Sequence, residues 1–226
     1  VVETVLDEKT SKPMDLEHST KAEVVRSWKI TDVDEKGVAT VELSIVSLRI
    51  EQNQTGQEPA IFDSSKPDEL NKNEMSKHVG PVLAILRIDT LGKLVEVKES
   101  KLGPASRFAS DLPFKMTMPE TALKLGETWE RTYSVVLDPP NGTGEKYPAV
   151  QKFSVLEPKN GFLVAQVSTN INDMPKTSAE QIPLLPMLTE GSLYFHEATG
   201  RYYAARLKVE KELKNHQGDG SVYKFS

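Results

Sequence analysis

The chain has 226 residues, of which 38% are hydrophobic and 27% charged, and this composition indicates a globular protein rather than a disordered one. The net charge is −5, and the 28 basic side chains are scattered among 33 acidic ones, so we expect no nucleic-acid partner. The absence of cysteine excludes disulfides and thiolate chemistry. No apolar run approaches the roughly 20 residues of a membrane-spanning helix, so we also expect no transmembrane segment.

The first half of the chain is rich in alternating apolar and polar residues. Met14–Ile30 alternates throughout, which predicts one long strand, or two consecutive ones, with one packed face and one solvent face. A turn ending at Gly37 follows, and Val38–Ile50 alternates again. The apolar residues of that stretch change from odd to even positions between Ile45 and Val46, which predicts a β-bulge.

The next segments differ in character. Pro67–Val79 begins with a proline and two acids, which predicts the one short helix of the chain. Pro81–Asp89 is apolar on both parities and predicts a central strand that is covered on both faces. Gly92 closes a hairpin, and Lys101–Phe114 is the best candidate for a linker because it contains glycine and two prolines.

The second half predicts strands in a similar order. Trp129–Leu137 alternates, Asn160-Gly161 is typical of a tight hairpin turn, and Arg201–Leu213 shows the cleanest alternation in the chain. Three prolines between residues 172 and 188 exclude a long helix in that insert.

An internal duplication is indicated by two similar turns. Asp89–Leu94 and Glu197–Tyr202 both read acid, two residues, glycine, base, apolar, and each joins two strands. We therefore predict a mainly β fold of curved antiparallel sheets, half-barrel-like, made of two divergent repeats and one short helix. Residues 1–103 would form the first repeat with a helix-containing insert and residues 104–226 the second with a proline-rich insert, or the two would form one continuous domain.

Several short motifs resemble an uncharacterised domain-of-unknown-function family of secreted or lipid-anchored bacterial proteins. They are Ile61–Ser65, Val79-Gly80, Asp89–Leu94, Leu125–Trp129 and Gly191–Tyr202. The resemblance implies a β-rich, exported protein of the periplasm, cell envelope or extracellular space, either free or lipid-anchored, and it brings no activity or catalytic residue. The start of the chain at Val1 favours removal of a signal peptide. By analogy of shape alone, the predicted sheets are similar to half-barrels that carry lipids or lipoproteins.

Apolar residues interrupted by proline mark the main candidate binding segment. Ile182–Leu188 fits neither a regular helix nor a central strand, and we interpret it first as a plug over the end of its own sheet. The alternative is a lid over an apolar groove, or a docking patch for a partner. Trp28 and Trp129 are interpreted first as core anchors and second as ligand platforms. The candidate ligand-binding residues are Ile182, Leu184, Leu185, Met187, Leu188, Trp28 and Trp129.

Motifs for metal binding and catalysis are weak. Asp32–Gly37 begins like a calcium loop, which needs oxygen ligands at its fifth and twelfth positions. Lys36 and Leu43 occupy these positions and cannot bind calcium, so a hairpin turn is expected. His196 precedes a glutamate, but adjacent strand residues point to opposite faces, so we interpret it as a turn histidine. We expect no metal, no cofactor and no catalytic residue.

These observations favour a non-enzymatic exported envelope protein that binds an apolar small molecule, a lipid or a partner segment on a concave β surface. The alternative is a structural or protein-interaction module without a ligand cavity. A hydrolase of envelope polymers is the third hypothesis, and it would need a carboxylate pair that no local spacing predicts.

Overall fold

The computed structural model describes residues 1–6, 12–66, 76–110 and 116–226, which are mainly β and antiparallel, as predicted. Their strands are β1 Val2–Leu6, β2 Pro13–Val33, β3 Ala39–Gln54, β4 Ala60–Asp63, β5 Val82–Ile88, β6 Leu94–Ser100, β7 Thr128–Leu137, β8 Glu145–Lys159, β9 Phe162–Ile171, β10 Glu190–His196, β11 Arg201–Lys208, β12 Lys211–Lys214 and β13 Val222–Phe225. Short helical segments are Ser76–His78, Arg107–Ser110, Ser178–Gln181, Ile182–Met187 and Glu197–Thr199.

The predicted helix and linker fall partly outside the described residues. Of the helix predicted for Pro67–Val79, residues 67–75 lie outside them, and Ser76–His78 form a 3₁₀ turn. Of the linker predicted for Lys101–Phe114, residues 111–114 lie outside them, while Arg107–Ser110 form one helical turn.

The chain divides into two compact units. The first comprises Val1–Thr90, Val95–Gly103 and Glu212–Phe225, and the second comprises Leu91–Leu94 and Pro104–Lys211 together with Ser226. This division differs at the C-terminus from the one predicted at residue 103, because β13 pairs with β1. Alternation within a segment does not indicate which distant strand it will pair with, and the internal duplication stays a prediction.

The sheet of the first unit has the strand order β12-β13-β1-β2-β3-β5-β6, and β4 also pairs with β3. Val25 lies opposite Ser47 and Arg26 lies opposite Ile45, so Val46 is the extra residue of a bulge. The predicted bulge between Ile45 and Val46 is confirmed. The bulge explains why the apolar parity of β3 changes at that point.

The strand β5 lies between β3 and β6 and carries much of the first unit's core. Leu83 and Ala84 are adjacent and both buried, and Leu86 and Ile88 are buried further along. Because adjacent strand residues point to opposite faces, the sheet is covered on both sides where β5 begins. The predicted central strand is confirmed.

The strand β2 is extended, which confirms the strand predicted for Met14–Ile30, but the predicted packed face is wrong. Val24 and Ile30 are 38% and 61% exposed, whereas their cross-strand neighbours on β3, Leu48 and Val41, are buried. Cross-strand neighbours share a face of the sheet. The residues that bury Leu48 and Val41 on β3 therefore do not extend over their neighbours on β2.

The sheet of the second unit has the order β11-β10-β9-β8-β7, and within the described residues both sheets remain open. The turn between β8 and β9 places Asn160 and Gly161 at φ of 54° and 80°, as the Asn-Gly pair predicts. Gly37, Gly92 and Gly200 also have positive φ. The predicted turn positions are thus confirmed, because glycine adopts this conformation with little strain.

Candidate functional site

The inward face of β7 carries an arginine among apolar side chains. Trp129, Arg131, Tyr133, Val135 and Leu137 alternate with more exposed residues, and burial increases along the strand until the last two are buried. The predicted alternation of Trp129–Leu137 is confirmed. The sequence interpretation did not single out Arg131, although its parity was a usable signal, because a charged residue at an apolar position of a strand needs a reason.

A cavity of about 400 Å³ opens beside this part of β7, and we call it the β7 cavity. It is lined by Trp129, Glu130, Arg131, Thr132, Tyr133, Thr117, Met118, Pro119, Lys93 and Leu94. All of these residues belong to the second unit. The lining combines an indole ring, aliphatic side chains, hydroxyl groups, cationic groups and one carboxylate among the described residues, a combination that suits a molecule with both apolar and polar parts.

Trp129 forms a fixed wall of the β7 cavity. Its ring stacks on Phe153, with centroids 5.0 Å apart and planes 13° apart, and Phe153 is only 1% exposed. Its indole Nε1–H donates a hydrogen bond of 2.8 Å to the carbonyl oxygen of Thr117. The backbone N–H of Met118 donates to the carbonyl oxygen of Leu91 at 2.8 Å. The indole and the neighbouring wall are therefore held in place without a ligand.

The Arg131 guanidinium lies over an aromatic ring, and Tyr133 is the charged or polar neighbour that influences it among the described residues. Its central carbon is 4.4 Å from the centre of the Tyr133 ring, a cation–π geometry. Burial lowers the pKa of Arg131, an effect that Tyr133 opposes. Burial also raises the pKa of the Tyr133 phenol, which the charge of Arg131 partly offsets. Arginine keeps its positive charge near neutral pH, so the cavity holds a cation.

Two polar atoms of residues that line this cavity are buried without a hydrogen-bond partner in the described part of the chain. They are Nε of Arg131 and Oγ1 of Thr117. Nε–H can only donate, and a buried donor without an acceptor is destabilising. The carboxylate nearest in sequence, Glu130, is instead paired at 3.2 Å with Lys152, its neighbour across β8.

A polar row crosses the inner face of the second sheet from Arg131 through Gln151 and Thr169 to Thr189. Gln151 lies opposite Arg131 on β7 and opposite Thr169 on β9. The Gln151 amide donates to the Thr169 hydroxyl at 3.1 Å, and this hydroxyl lies 3.3 Å from that of Thr189. Gln151 Oε1 is buried without a partner among the described residues.

The polar row separates two hydrophobic clusters. On β8 it runs between Ala149, which belongs to one cluster, and Phe153, which belongs to the other. On β9 it runs in the same way between Ile171 and Val167. The row therefore brings polar groups into the interior, with Arg131 at the end that borders the cavity.

The Ile182–Leu188 segment contributes to a hydrophobic core cluster. Ile182–Met187 forms a 3₁₀ helix, and Leu184 and Leu185 are 0% and 2% exposed. Leu184 belongs to the cluster of Val135 and Ile171, and Met187 and Leu188 pack against that cluster. The interpretation as a plug agrees with this placement, and prolines explain why the segment is neither an α-helix nor a strand.

The two tryptophans differ in their surroundings. Trp28 is half-buried on β2, opposite Leu43 of the first unit. Trp129 packs on a core cluster, as a core anchor would, and also lines the β7 cavity; its role as a ligand platform stays a prediction. Of the seven candidate ligand-binding residues, Trp129 is the one that lines this cavity.

The motifs that resembled metal or acid–base sites form turns. Asp34 Oδ1 accepts hydrogen bonds from the backbone N–H groups of Lys36 and Val38, and Oδ2 is paired with Arg87. Nδ1 of His196 lies 3.0 Å from the Thr199 hydroxyl. Residues 1–6, 12–66, 76–110 and 116–226 contain no group of three or more histidine or carboxylate side chains suited to a metal.

Comparison with known proteins gives no relative: no family model, no curated protein and no solved structure matches this chain. The resemblance to a family of secreted bacterial proteins therefore stays an expectation. Among the described residues, no helix has both the length and the apolar character needed to cross a bilayer.

Proposed function

We propose that this protein is a non-enzymatic binding protein, exported to the bacterial cell envelope, that holds an apolar ligand in the β7 cavity. The observation that carries the proposal is the stacked and hydrogen-bonded indole of Trp129 on the wall of a cavity of about 400 Å³. Ligand pockets typically have volumes of about 300–1,000 Å³ and are largely pre-formed. A wall that is already ordered lowers the entropy cost of binding.

The cavity chemistry favours binding over hydrolysis. Among the described residues, Glu130 is the one carboxylate that lines the cavity, and it is paired with Lys152. Glycoside hydrolysis usually needs two carboxyl groups facing the same bond. The lining instead offers an aromatic platform and aliphatic side chains, which make apolar contacts without bond chemistry.

A second candidate function, a protein-interaction module, is favoured by the exposed apolar side chains of β2. Val25 and Ile30 are 54% and 61% exposed. A module of this kind would leave the β7 cavity without a ligand. The two functions therefore differ in whether the cavity binds apolar molecules.

Trp129 itself provides the assay. The chain contains two tryptophans, so Trp28→Phe leaves Trp129 as the only fluorophore of that type. Titration with decanol, a neutral apolar probe, should give a saturable change in Trp129 emission. Met118→Gln should weaken the affinity about three- to tenfold, because about 1 kcal/mol of apolar contact is lost. Met14→Gln is the control, because Met14 is exposed and lies outside the cavity lining.

A Trp129 emission that does not respond to decanol would reject the ligand-binding function and favour the interaction module. An equal loss of affinity in Met118→Gln and Met14→Gln would also reject the β7 cavity as the site.

A further inference from the structure

Arg131 places a positive charge in a cavity whose lining combines apolar and polar side chains. Its Nε is buried and, within the described residues, has no acceptor. Buried charges in proteins are normally paired or fully hydrogen-bonded. Tyr133 stabilises the charge through a cation–π contact and a side-chain hydrogen bond, which leave Nε without an acceptor among the described residues. Among the described residues, the guanidinium therefore borders the cavity without a full set of hydrogen-bond partners.

Thr117 and Lys93 line the same cavity. The Thr117 carbonyl oxygen accepts from the Trp129 indole, and its Oγ1 is buried without a partner among the described residues. Glu130, the carboxylate in the lining, is paired with Lys152 at 3.2 Å.

The polar row explains how an arginine is tolerated at this position. Gln151 is the cross-strand neighbour of Arg131, and its amide is anchored to the Thr169 hydroxyl. Gln151 Oε1 is an acceptor, but it makes no hydrogen bond to Arg131 in this arrangement. A direct bond between the two side chains is the competing explanation, and it predicts no preference for any charged ligand.

We infer that the ligand of the β7 cavity is an anionic amphiphile, whose carboxylate binds the Arg131 guanidinium while its hydrocarbon part lies against Trp129. This inference rests on the proposed function. A carboxylate suits this site because it only accepts hydrogen bonds and because it forms short, charge-assisted hydrogen bonds with a guanidinium.

The experiment compares three probes that share one hydrocarbon chain and differ in head group: decanoate, decanol and decyltrimethylammonium. Each is titrated into the Trp28→Phe protein, and Trp129 emission reports binding. Decanoate should bind about tenfold or more tightly than the other two, as expected for a hydrogen bond to a charged group. Arg131→Met keeps most of the aliphatic stem and should lower decanoate affinity to about that of decanol.

The ratio of decanoate to decanol affinity should fall from about tenfold to about one in Arg131→Met, so a general loss of the cavity, which would weaken both probes alike, would not give this result. Arg206→Met is the matched control, because Arg206 is an exposed arginine of β11 in the same sheet. It should leave the affinities for all three probes unchanged. Arg131→Lys, which keeps the charge but lacks Nε, should give an intermediate decanoate affinity.

The outcomes separate the two proposals. Equal affinities for the three probes, or tighter binding of decyltrimethylammonium, would overturn the anionic ligand and leave the apolar binding function standing. A decanoate preference that survives in Arg131→Met would overturn the role of Arg131. A failure of all three probes to bind would reject the proposed function and, with it, the inference.

Discussion

Leu184→Ala tests whether Ile182–Leu188 is part of the core or a lid. The Leu184 side chain is 0% exposed and packs in the cluster of Val135 and Ile171. The substitution removes three carbon atoms, which at about 0.8 kcal/mol each gives about 2.4 kcal/mol of lost transfer free energy. The cavity that remains raises the expected loss of unfolding free energy to about 3–4 kcal/mol.

Urea unfolding of the Trp28→Phe protein measures this loss, because Trp129 reports on the second unit, to which Leu184 belongs. Leu125→Ala is the matched control: Leu125 belongs to the same unit and is 62% exposed, so its loss should be below about 0.5 kcal/mol. A Leu184→Ala loss as small as that of the control would refute the core placement. A mobile lid would instead give a small stability loss together with a change in probe affinity.

Three further substitutions test local contacts. His216→Phe removes the 2.5 Å contact between the buried His216 Nε2 and Glu3, and should lower the unfolding free energy by about 1–3 kcal/mol in chemical denaturation. The backbone N–H of Val38, together with that of Lys36, donates to Asp34 and holds the pKa of its carboxyl below the usual 3.8. The stability that ionised Asp34 contributes is therefore present above about pH 4 and is lost as the pH falls through the lowered pKa. Asp34→Asn should give a shallower acid-induced loss of stability. Gly191→Ala should destabilise far more than Gly126→Ala in thermal denaturation, because its Cβ would lie 2.0 Å from a backbone oxygen, while the space at Gly126 is open.

Features set by local chemistry could be predicted from the sequence. The bulge at Val46 follows from a parity change within one strand, and the positive φ of Gly92 and Gly161 follows from turn composition. The burial of Leu184 follows from the difficulty of exposing an apolar segment that proline prevents from joining a sheet. Each of these inferences needs only neighbours in the chain.

Features set by distant partners could not be predicted. Alternation in β2 indicates which side chains share a face, but whether a second layer covers that face depends on other parts of the chain, and Val24 and Ile30 are in fact exposed. The pairing of β13 with β1 joins residues that are more than 200 positions apart. The register that places Gln151 beside Arg131 is equally non-local.

The candidate site was only partly predictable. Trp129 was identified from its aromatic character and apolar parity, and the same parity applied to Arg131. The Thr117 contact was not visible, because it comes from a segment without regular secondary structure that reaches β7 through the indole hydrogen bond. A charged residue at an apolar position of an alternating strand therefore indicates a candidate site residue.

The most direct test of the β7 cavity is the nuclear magnetic resonance signal of the Arg131 Nε–H group in protein labelled with ¹⁵N-arginine. The signal is assigned by its disappearance in Arg131→Met. Addition of decanoate should shift this signal progressively and saturably, while decanol should shift it far less. An Arg131 signal that stays in place while decanoate binds elsewhere, with another arginine responding instead, would contradict the account.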